Sequence, residues 1–530
     1  MCMIWETKPQ LLDLLSRLVS IPSVSGTESE AIFPDLLELE LKNLPYFQQN
    51  AHHLNVHHSP DGSYLTAFVE KKGTKKTIVM ISHFDVVGVE DYGQLKEIAF
   101  NVEKLTELYN ENPELLPEPF REEFRSGDWV FGRGAMDMKA GIAVQLSLLE
   151  KASYGEIDGN LLFVTVSDEE VSSKGMLKAI EEVLRLKEDL GLEYVLCLNT
   201  EPSFKVHPHD KNKYMYTGTI GKMMPSFYFA GQETHVGEPF AGLNASLMAA
   251  ALTMELELNS EFSETIGEER TSALTNLMMR DLKEFYNVQT PTSAVAMFNL
   301  LFMEKSPGEL TEGILKATHK AANMALEHYR EKAELAGVKG LPFTIDVYTW
   351  EDLYAEVVKA IGLDEAQALI EATLLAAADE DERGKSLKVV QQFASYIEKK
   401  PFIVFYFSPP FYPAVSSRNS EIVQSLASFV KSEISEIQER KFFQGLCDLS
   451  YATSSTSEKD AKLLAGNMPL YNNGYTIPFE AIQELDMPVF NLGPYGADPH
   501  QKTERLEMDF SFGTLPDLLE KLVQHAFRIS

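Results

Sequence analysis

Cysteine is scarce: three in 530 residues, Cys2, Cys197 and Cys447, far apart in the chain. That excludes a disulfide framework and a cysteine-rich zinc site, and it suits a reducing compartment. Basic residues are in deficit too. Forty-seven Lys and Arg face 79 Asp and Glu, a net charge of −32. A surface so acidic repels phosphate backbones and anionic headgroups, so neither nucleic acid nor a membrane is expected as a partner. No run approaches the roughly 18 consecutive apolar residues that a spanning helix needs. The opening MCMIWETKPQLLDLLSRLV has acids and no long apolar core, so no secretory signal is expected. These absences point to a cytoplasmic globular protein. Any metal in it must be held mainly by imidazole and carboxylate.

What is present is a chain long enough for two to four domains at roughly 100–200 residues each. Leucines at 11, 12, 14, 15 and 18 predict a helix over 8–20. YLTAFVEKKGTKKTIVMISHFDVV reads as a hairpin, with strands at 64–70 and 77–82 around a Lys/Gly turn. A helix is predicted from 138 to 152, a strand at 160–167, a helix at 174–191 and a strand at 193–198. Strands alternating with helices over this length argue for a mostly parallel α/β sheet. Near residue 215 the pattern changes. Strands at 221–232, 292–303, 342–349 and 402–408, with helices at 243–257, 308–337 and 386–399, give β-α-β-β-α-β order with helical insertions, close to a ferredoxin-like arrangement. A helix at 420–438, a strand at 488–493 and a helix at 514–526 then resume the first pattern. The expectation is a discontinuous catalytic domain, 1–214 and 413–530, interrupted by an inserted domain, 215–412. The acid run ADEDERG (378–384) reads as a solvated helix end or loop.

Histidines and acids recur just past predicted strands. ISHFDVV places His83 and Asp85 two residues apart, so on extended chain both side chains point the same way and the Asp could accept the imidazole's second N–H. GRGAMDMKAG sets Asp137 between glycines and a helix start. VTVSDEEVSSKG ends a buried-looking strand in Asp168, Glu169 and Glu170, three acids that repel one another unless a cation lies opposite. LCLNTEPSF offers Glu201, and NLGPYGADPHQKTERL offers His500. Each has an ordinary explanation as well: a buried histidine with a structural Asp, a helix-capping Asp, an acidic helix N-terminus, acids in loops. Strand ends of one parallel sheet nevertheless converge on one edge, where these side chains could meet. His52, His53, His57 and His58 in HHLNVHH read as a solvated loop or edge strand, and His207 and His209 as part of a polar connection.

With these residues in view, the sequence resembles the aminoacylase / carboxypeptidase G / succinyl-diaminopimelate desuccinylase family of dinuclear zinc peptidases. SIPSVSGTE, SHFDVV, GRGAMDMKAG, SDEEVSSKG, NTEPS, GQETHVGEPFAGLNA and PHQKTERL occur in the family order over nearly the whole chain. The resemblance implies a three-layer α/β/α zinc-exopeptidase-like catalytic domain with an inserted, enlarged ferredoxin-like α+β lid. It implies two divalent cations, zinc first and Co²⁺ or Mn²⁺ as substitutes: His83, Asp137 and Glu201 on one, Asp137, Glu170 and His500 on the other. It implies Glu169 as general base, Asp85 orienting His83, a cis Asp137–Met138 peptide, and His235 with Asn244 as substrate contacts, His235 polarising the scissile carbonyl from its own or a partner subunit.

Two departures stand out. Ser172 occupies a position where the family often has glycine, and the arginine that commonly binds a substrate carboxylate has no convincing match near FIVFYFSPPFYPAV, Arg418 included. GLCDLSY makes Asp448 a candidate near the site. The expected protein is a metal-dependent hydrolase, monomer or homodimer, cleaving an amide of a small peptide or N-acyl amino acid. A narrower likeness within the family links it to arginine or amino-acid catabolism. The rivals are an aminopeptidase and a metal-binding relic with a regulatory role.

Overall fold

The computed structural model describes residues 3–530 apart from Asp61, Pro208, His209 and Lys211, with backbone alone at Pro119, Glu123 and Ser126. Cys2 and His209 therefore lie outside the described residues. The chain forms two compact units. One comprises 1–219, 415–454 and 478–530; the other comprises 220–414 and 455–477. Residues 455–477, which the sequence pattern groups with the first, belong to the second.

The first unit is built on an eight-stranded sheet, in the order Leu54–His57, Tyr64–Val69, Asn160–Val166, Lys76–His83, Glu193–Asn199, Val489–Asn491, Lys213–Tyr216, Ile437–Arg440. Its centre is parallel. The expected hairpin does not form. Tyr64–Val69 and Lys76–His83 are separated by Asn160–Val166, antiparallel to the first and parallel to the second. All seven residues of the intervening strand are buried, and a central position lets both of its faces leave water. Ile78, Met80, Leu161, Phe163, Leu196 and Leu198 point into a core shared with the helices Lys8–Val19, Lys139–Ser153 and Leu515–Ile529. Their neighbours Val79, Ile81, Leu162, Val164 and Cys197 are equally buried. Alternation sends these to the opposite face, where the helix Lys174–Leu190 packs on Asn160–Val166 and Tyr64–Val69 and the turn Asp448–Tyr451 packs on Lys76–His83.

In the second unit, Thr275–Asp281, Ser293–Phe302, Pro225–Ala230 and Phe402–Phe407 lie in that order and antiparallel, with Asp346–Thr349 added parallel at the edge. The helices Ala245–Leu256 and Pro307–Leu335 complete a ferredoxin-like core. Two helices not expected from the sequence, Trp350–Ile361 and Leu363–Ala376, follow the edge strand, and Glu382–Ala394 starts a few residues before its periodicity predicts. Trp350, Leu353, Ile370, Val390 and Phe393 on these three helices pack against Tyr228, Val404 and Tyr406 of the sheet. That second helical layer explains why every residue of FIVFYF is buried. The helix expected at 420–438 stops at Glu433, and Ile437–Arg440 is a strand. Among the described residues no helix is long and apolar enough to cross a membrane.

Candidate active site

The acid turn follows the strand Asn160–Val166. Asp168 and Ser173 both adopt left-handed backbone, with φ of 67° and 53°. The Asp168 carbonyl accepts the N–H groups of Val171, Ser172 and Ser173 at 3.3, 3.0 and 2.6 Å. Its carboxylate accepts Lys174 N–H at 3.2 Å, at the start of the next helix. The three acids' own N–H groups go to carboxylates elsewhere. Asp168 N–H donates to Glu30 Oε1 at 2.9 Å. Glu169 and Glu170 donate to Asp85 Oδ1 and Oδ2 at 3.0 and 3.2 Å. Gly26 N–H reaches Glu30 Oε2 at 2.6 Å, and the Ser25 hydroxyl reaches Asp85 Oδ2 at 2.7 Å. Ser25 and Gly26 in the stretch SIPSVSGTE, with Glu30 just past it, thus brace the turn. Hydrogen bonds to charged acceptors offset part of the cost of burying Glu30 and Asp85. Burial, and next the Asp85 charge, still push the Glu30 carboxyl up to about 8.

Asp85 does not hold His83 in the way the spacing suggested. His83 Nδ1 lies 3.0 Å from the Asp85 backbone carbonyl and 3.4 Å from its carboxylate. The strand ends at His83, so strand alternation no longer applies at Asp85, and its carboxylate turns to the acid turn. A carbonyl oxygen can only accept. It therefore fixes the imidazole proton on Nδ1 and leaves the Nε2 lone pair facing the cluster when the ring is neutral.

His83 Nε2 is 3.3 Å from Asp137 Oδ1, 3.5 Å from Glu201 Oε1 and 3.9 Å from Glu169 Oε2. His500 Nε2 is 3.0 Å from Glu170 Oε1 and 3.4 Å from Asp137 Oδ2. The two Asp137 oxygens thus face different histidines. Donor atoms of His83, Asp137 and Glu170 all lie within 4.8 Å of one another, the one such grouping among the described residues. The Asp137–Met138 peptide is cis. His500, half-exposed and itself at φ 61°, comes from a loop pinned by Asp498, which bonds Thr503 and Arg505.

Charge in the cluster is lopsided. Burial raises the Glu169, Glu170 and Glu201 carboxyls, and the histidines offset this only in part. Burial acts in the same direction on Asp137, but His500 and His83 outweigh it and hold that carboxyl below its ordinary range. Hydrogen bonds to Asp137 and Glu170 lift the His500 imidazole to about 10. Several carboxylates crowded around two imidazoles, two nitrogens aimed inward and no thiolate among them form the donor set that borderline divalent cations take. The residues fit the metal pair that the resemblance implies.

Asp448 is buried nearby, and burial pushes its carboxyl up to about 7. His235 and Asn244 belong to the second unit. Gly237 N–H donates to His235 Nδ1 at 3.0 Å, so the neutral ring carries its proton on Nε2. Asn244 Oδ1 accepts Ser246 N–H at 2.8 Å and caps the helix Ala245–Leu256. Of the histidine tract, His57 ends an edge strand and stacks on Tyr64, and His58 meets Asp35 at 3.2 Å. The brace residues Ser25 and Glu30 went unnoticed in the sequence. Ser25 lies in the motif SIPSVSGTE and Glu30 two residues past its end, and a lone hydroxyl or acid at a helix start does not advertise a bracing role.

Residues 80–511 match the model of peptidase family M20/M25/M40. The Bacillus subtilis protein YqjN is 42% identical over 526 residues, covering 97% of this chain and 96% of its own. Protein RocB of the same organism is 31% identical over 535 residues, covering 97% and 94%. Among solved structures, the Bacillus subtilis YXEP protein, a dinuclear metal binding peptidase from the M20 family, superposes with a TM-score of 0.52 at 9% identity, covering 99% of each chain.

Proposed function

The chain belongs to peptidase family M20/M25/M40, and from that premise we propose that it hydrolyses an amide bond in a small peptide or N-acyl amino acid with two divalent cations bound. The observation that carries this reading is Asp137. One carboxylate oxygen faces His83, whose Nε2 also lies 3.5 Å from Glu201, and the other faces His500, whose Nε2 also lies 3.0 Å from Glu170. We assign His83, Asp137 and Glu201 to one cation and Asp137, Glu170 and His500 to the other. Zinc is the first choice, with Co²⁺ or Mn²⁺ able to use the same donors. Such cations, when bound, supply Lewis acidity that acidifies a water and polarises a carbonyl.

The protein's own groups do the rest. Glu169 is buried beside His83, and its backbone is held by the Asp85 carboxylate. It takes a proton from the attacking water and delivers it to the departing nitrogen, closing the cycle of general acid–base catalysis. The Asp85 carbonyl keeps the His83 proton on Nδ1. His235, protonated on Nε2, serves as a donor to the substrate's carbonyl oxygen, a role that stabilises the charge developing there. Asn244 is a second substrate contact. The link to arginine or amino-acid catabolism follows the resemblance seen in the sequence, and a cytoplasmic location follows from the scarcity of cysteine.

The test is hydrolysis of a panel of N-acyl amino acids and dipeptides by the full chain supplied with Zn²⁺ or Mn²⁺. Glu169→Gln should lower kcat by about 10²–10⁴-fold while cation stoichiometry stays at the wild-type value. A variant as active as wild type, or a wild type that cleaves no amide with either cation, would overturn the proposal.

A further inference from the structure

A small sheet of Trp129–Phe131, Arg505–Glu507 and Gly496–Ala497 ties together two loops. One carries Asp137 and the other carries His500. Glu504 sits where they join, 1% exposed. Its Oε1 accepts Met136 N–H at 3.1 Å and Asp137 N–H at 3.3 Å. Its Oε2 takes Arg133 Nη1 at 2.8 Å. Its carbonyl accepts Gly132 N–H at 3.3 Å, and its own N–H donates to the Gln501 carbonyl at 2.8 Å. One residue therefore holds the Asp137 turn with its side chain and closes the His500 loop with its backbone.

Arg133 is also 1% exposed and anchored on every side. Its Nη2 meets Asp91 at 3.0 Å, its Nε donates to the Gly88 carbonyl at 3.3 Å, and its guanidinium lies 5.2 Å from the Tyr92 ring centre. A buried ion pair adds little net stability, but breaking it leaves an uncompensated charge, so its geometry is hard to change. Glu504 is thus a fixed point, and Asp137 and His500 are both placed relative to it.

We infer that Glu504, set by Arg133, is a positioning residue that fixes the spacing between Asp137 and His500, and with it the affinity for the cation these two would share with Glu170. The inference rests on the two-cation reading above. Both Glu504 carboxylate oxygens are engaged by Met136, Asp137 and Arg133. Glu504 acts through the Asp137 backbone. Partners that orient a ligand in this way typically govern 10–100-fold in metal affinity.

The experiment is a calorimetric titration of the chelator-treated full chain with Zn²⁺, repeated with Co²⁺ to record the visible spectrum of the bound ion. Wild type should bind two cations, and His500→Ala should lose one. Glu504→Ala should weaken that same site about 10–100-fold, alter its Co²⁺ spectrum, and weaken the site of His83 and Glu201, which shares only Asp137 with Glu504's reach, by less. Glu504→Gln keeps an acceptor for the Met136 and Asp137 N–H groups but loses the charge opposite Arg133. It should lie between Ala and wild type, and it decides the matter if the Ala variant does not fold. A merely structural role would lower the melting temperature yet leave both affinities of the folded protein at wild-type values, and that result overturns the inference. If wild type does not bind two cations, or His500→Ala still binds both, the two-cation reading fails and takes the inference with it. The His500→Ala control tells the two failures apart.

Discussion

Glu30 shows how much of the site's arrangement rests on a residue with no claim to chemistry. Its carboxylate receives N–H groups from Gly26 and Asp168, and so sets the first residue of the acid turn. Burial moves its carboxyl from the usual 4.5 to about 8, with the Asp85 charge adding to the rise. Between those values the folded chain binds a proton that the unfolded chain has released. The group's contribution to stability is therefore fully present below pH 4.5 and is lost as pH rises through about 8. In chelator-treated protein, wild type should lose stability relative to Glu30→Gln as pH is raised from about 5 to 8. Urea midpoints at several pH values would show it. A wild-type-minus-variant difference that does not change with pH would refute this assignment.

At the scale of elements, the join between the strand Asn160–Val166 and the helix Lys174–Leu190 has no room to spare. A Cβ at Gly175 would lie 2.5 Å from the Ser167 carbonyl oxygen and 2.6 Å from its nitrogen. Both are backbone atoms and cannot swing aside. Gly175→Ala should therefore cost about 1–3 kcal/mol, as overpacking does, with the urea midpoint falling accordingly. A change under about 0.5 kcal/mol, the range of ordinary surface substitutions, would mean that the helix start shifts freely.

The same strand shows what was legible in the sequence and what was not. Periodicity located Asn160–Val166 and the helices on either side, because burial on one face or both leaves a local pattern. It gave no hint that this strand inserts between Tyr64–Val69 and Lys76–His83, since pairing across a hundred residues has no local signature. Likewise His83, Asp137, Glu169, Glu170, Glu201 and His500 stood out as types at strand ends, and the structure gathers all six. The hydrogen bonds of Asp85, Glu30 and Glu504 depend on where a backbone turns after a strand ends, and no spacing rule reaches that far. In the second unit, helices such as Trp350–Ile361 were missed because they sit inside an insertion whose boundaries the ferredoxin-like pattern does not anticipate.

The whole molecule is a fold interrupted twice. The chain leaves the first unit after Thr219 and returns at Val415, and these two residues are antiparallel partners. It leaves again after Ser454 and returns at Pro478. The flanks of that second gap are held together by Met487 N–H on the Ala452 carbonyl, at 3.1 Å, and by the Thr453 hydroxyl on Asp486, at 2.7 Å. Exits that begin and end close together are the places where insertion is tolerated. The second excursion, 455–477, belongs to the inserted unit by its bonds. Asp460 accepts Gly308 N–H at 2.9 Å, the Asn467 carbonyl accepts Phe407 N–H at 2.8 Å, and the Tyr475 hydroxyl accepts Phe411 N–H at 3.1 Å. Its Leu464, Met468, Leu470 and Tyr475 are all buried. Replacing 220–414 alone by a short Gly/Ser linker should strand those apolar side chains in water and yield an aggregating product. Replacing both 220–414 and 455–477 should yield a folded first unit that still binds divalent cations, because every proposed ligand lies within it. Solubility, circular dichroism and a Zn²⁺ titration of the two deletion variants would decide. Equal solubility of the two variants would refute the assignment of 455–477 to the inserted unit, and an unfolded double deletion would show that the cation-binding unit needs the insertion to fold.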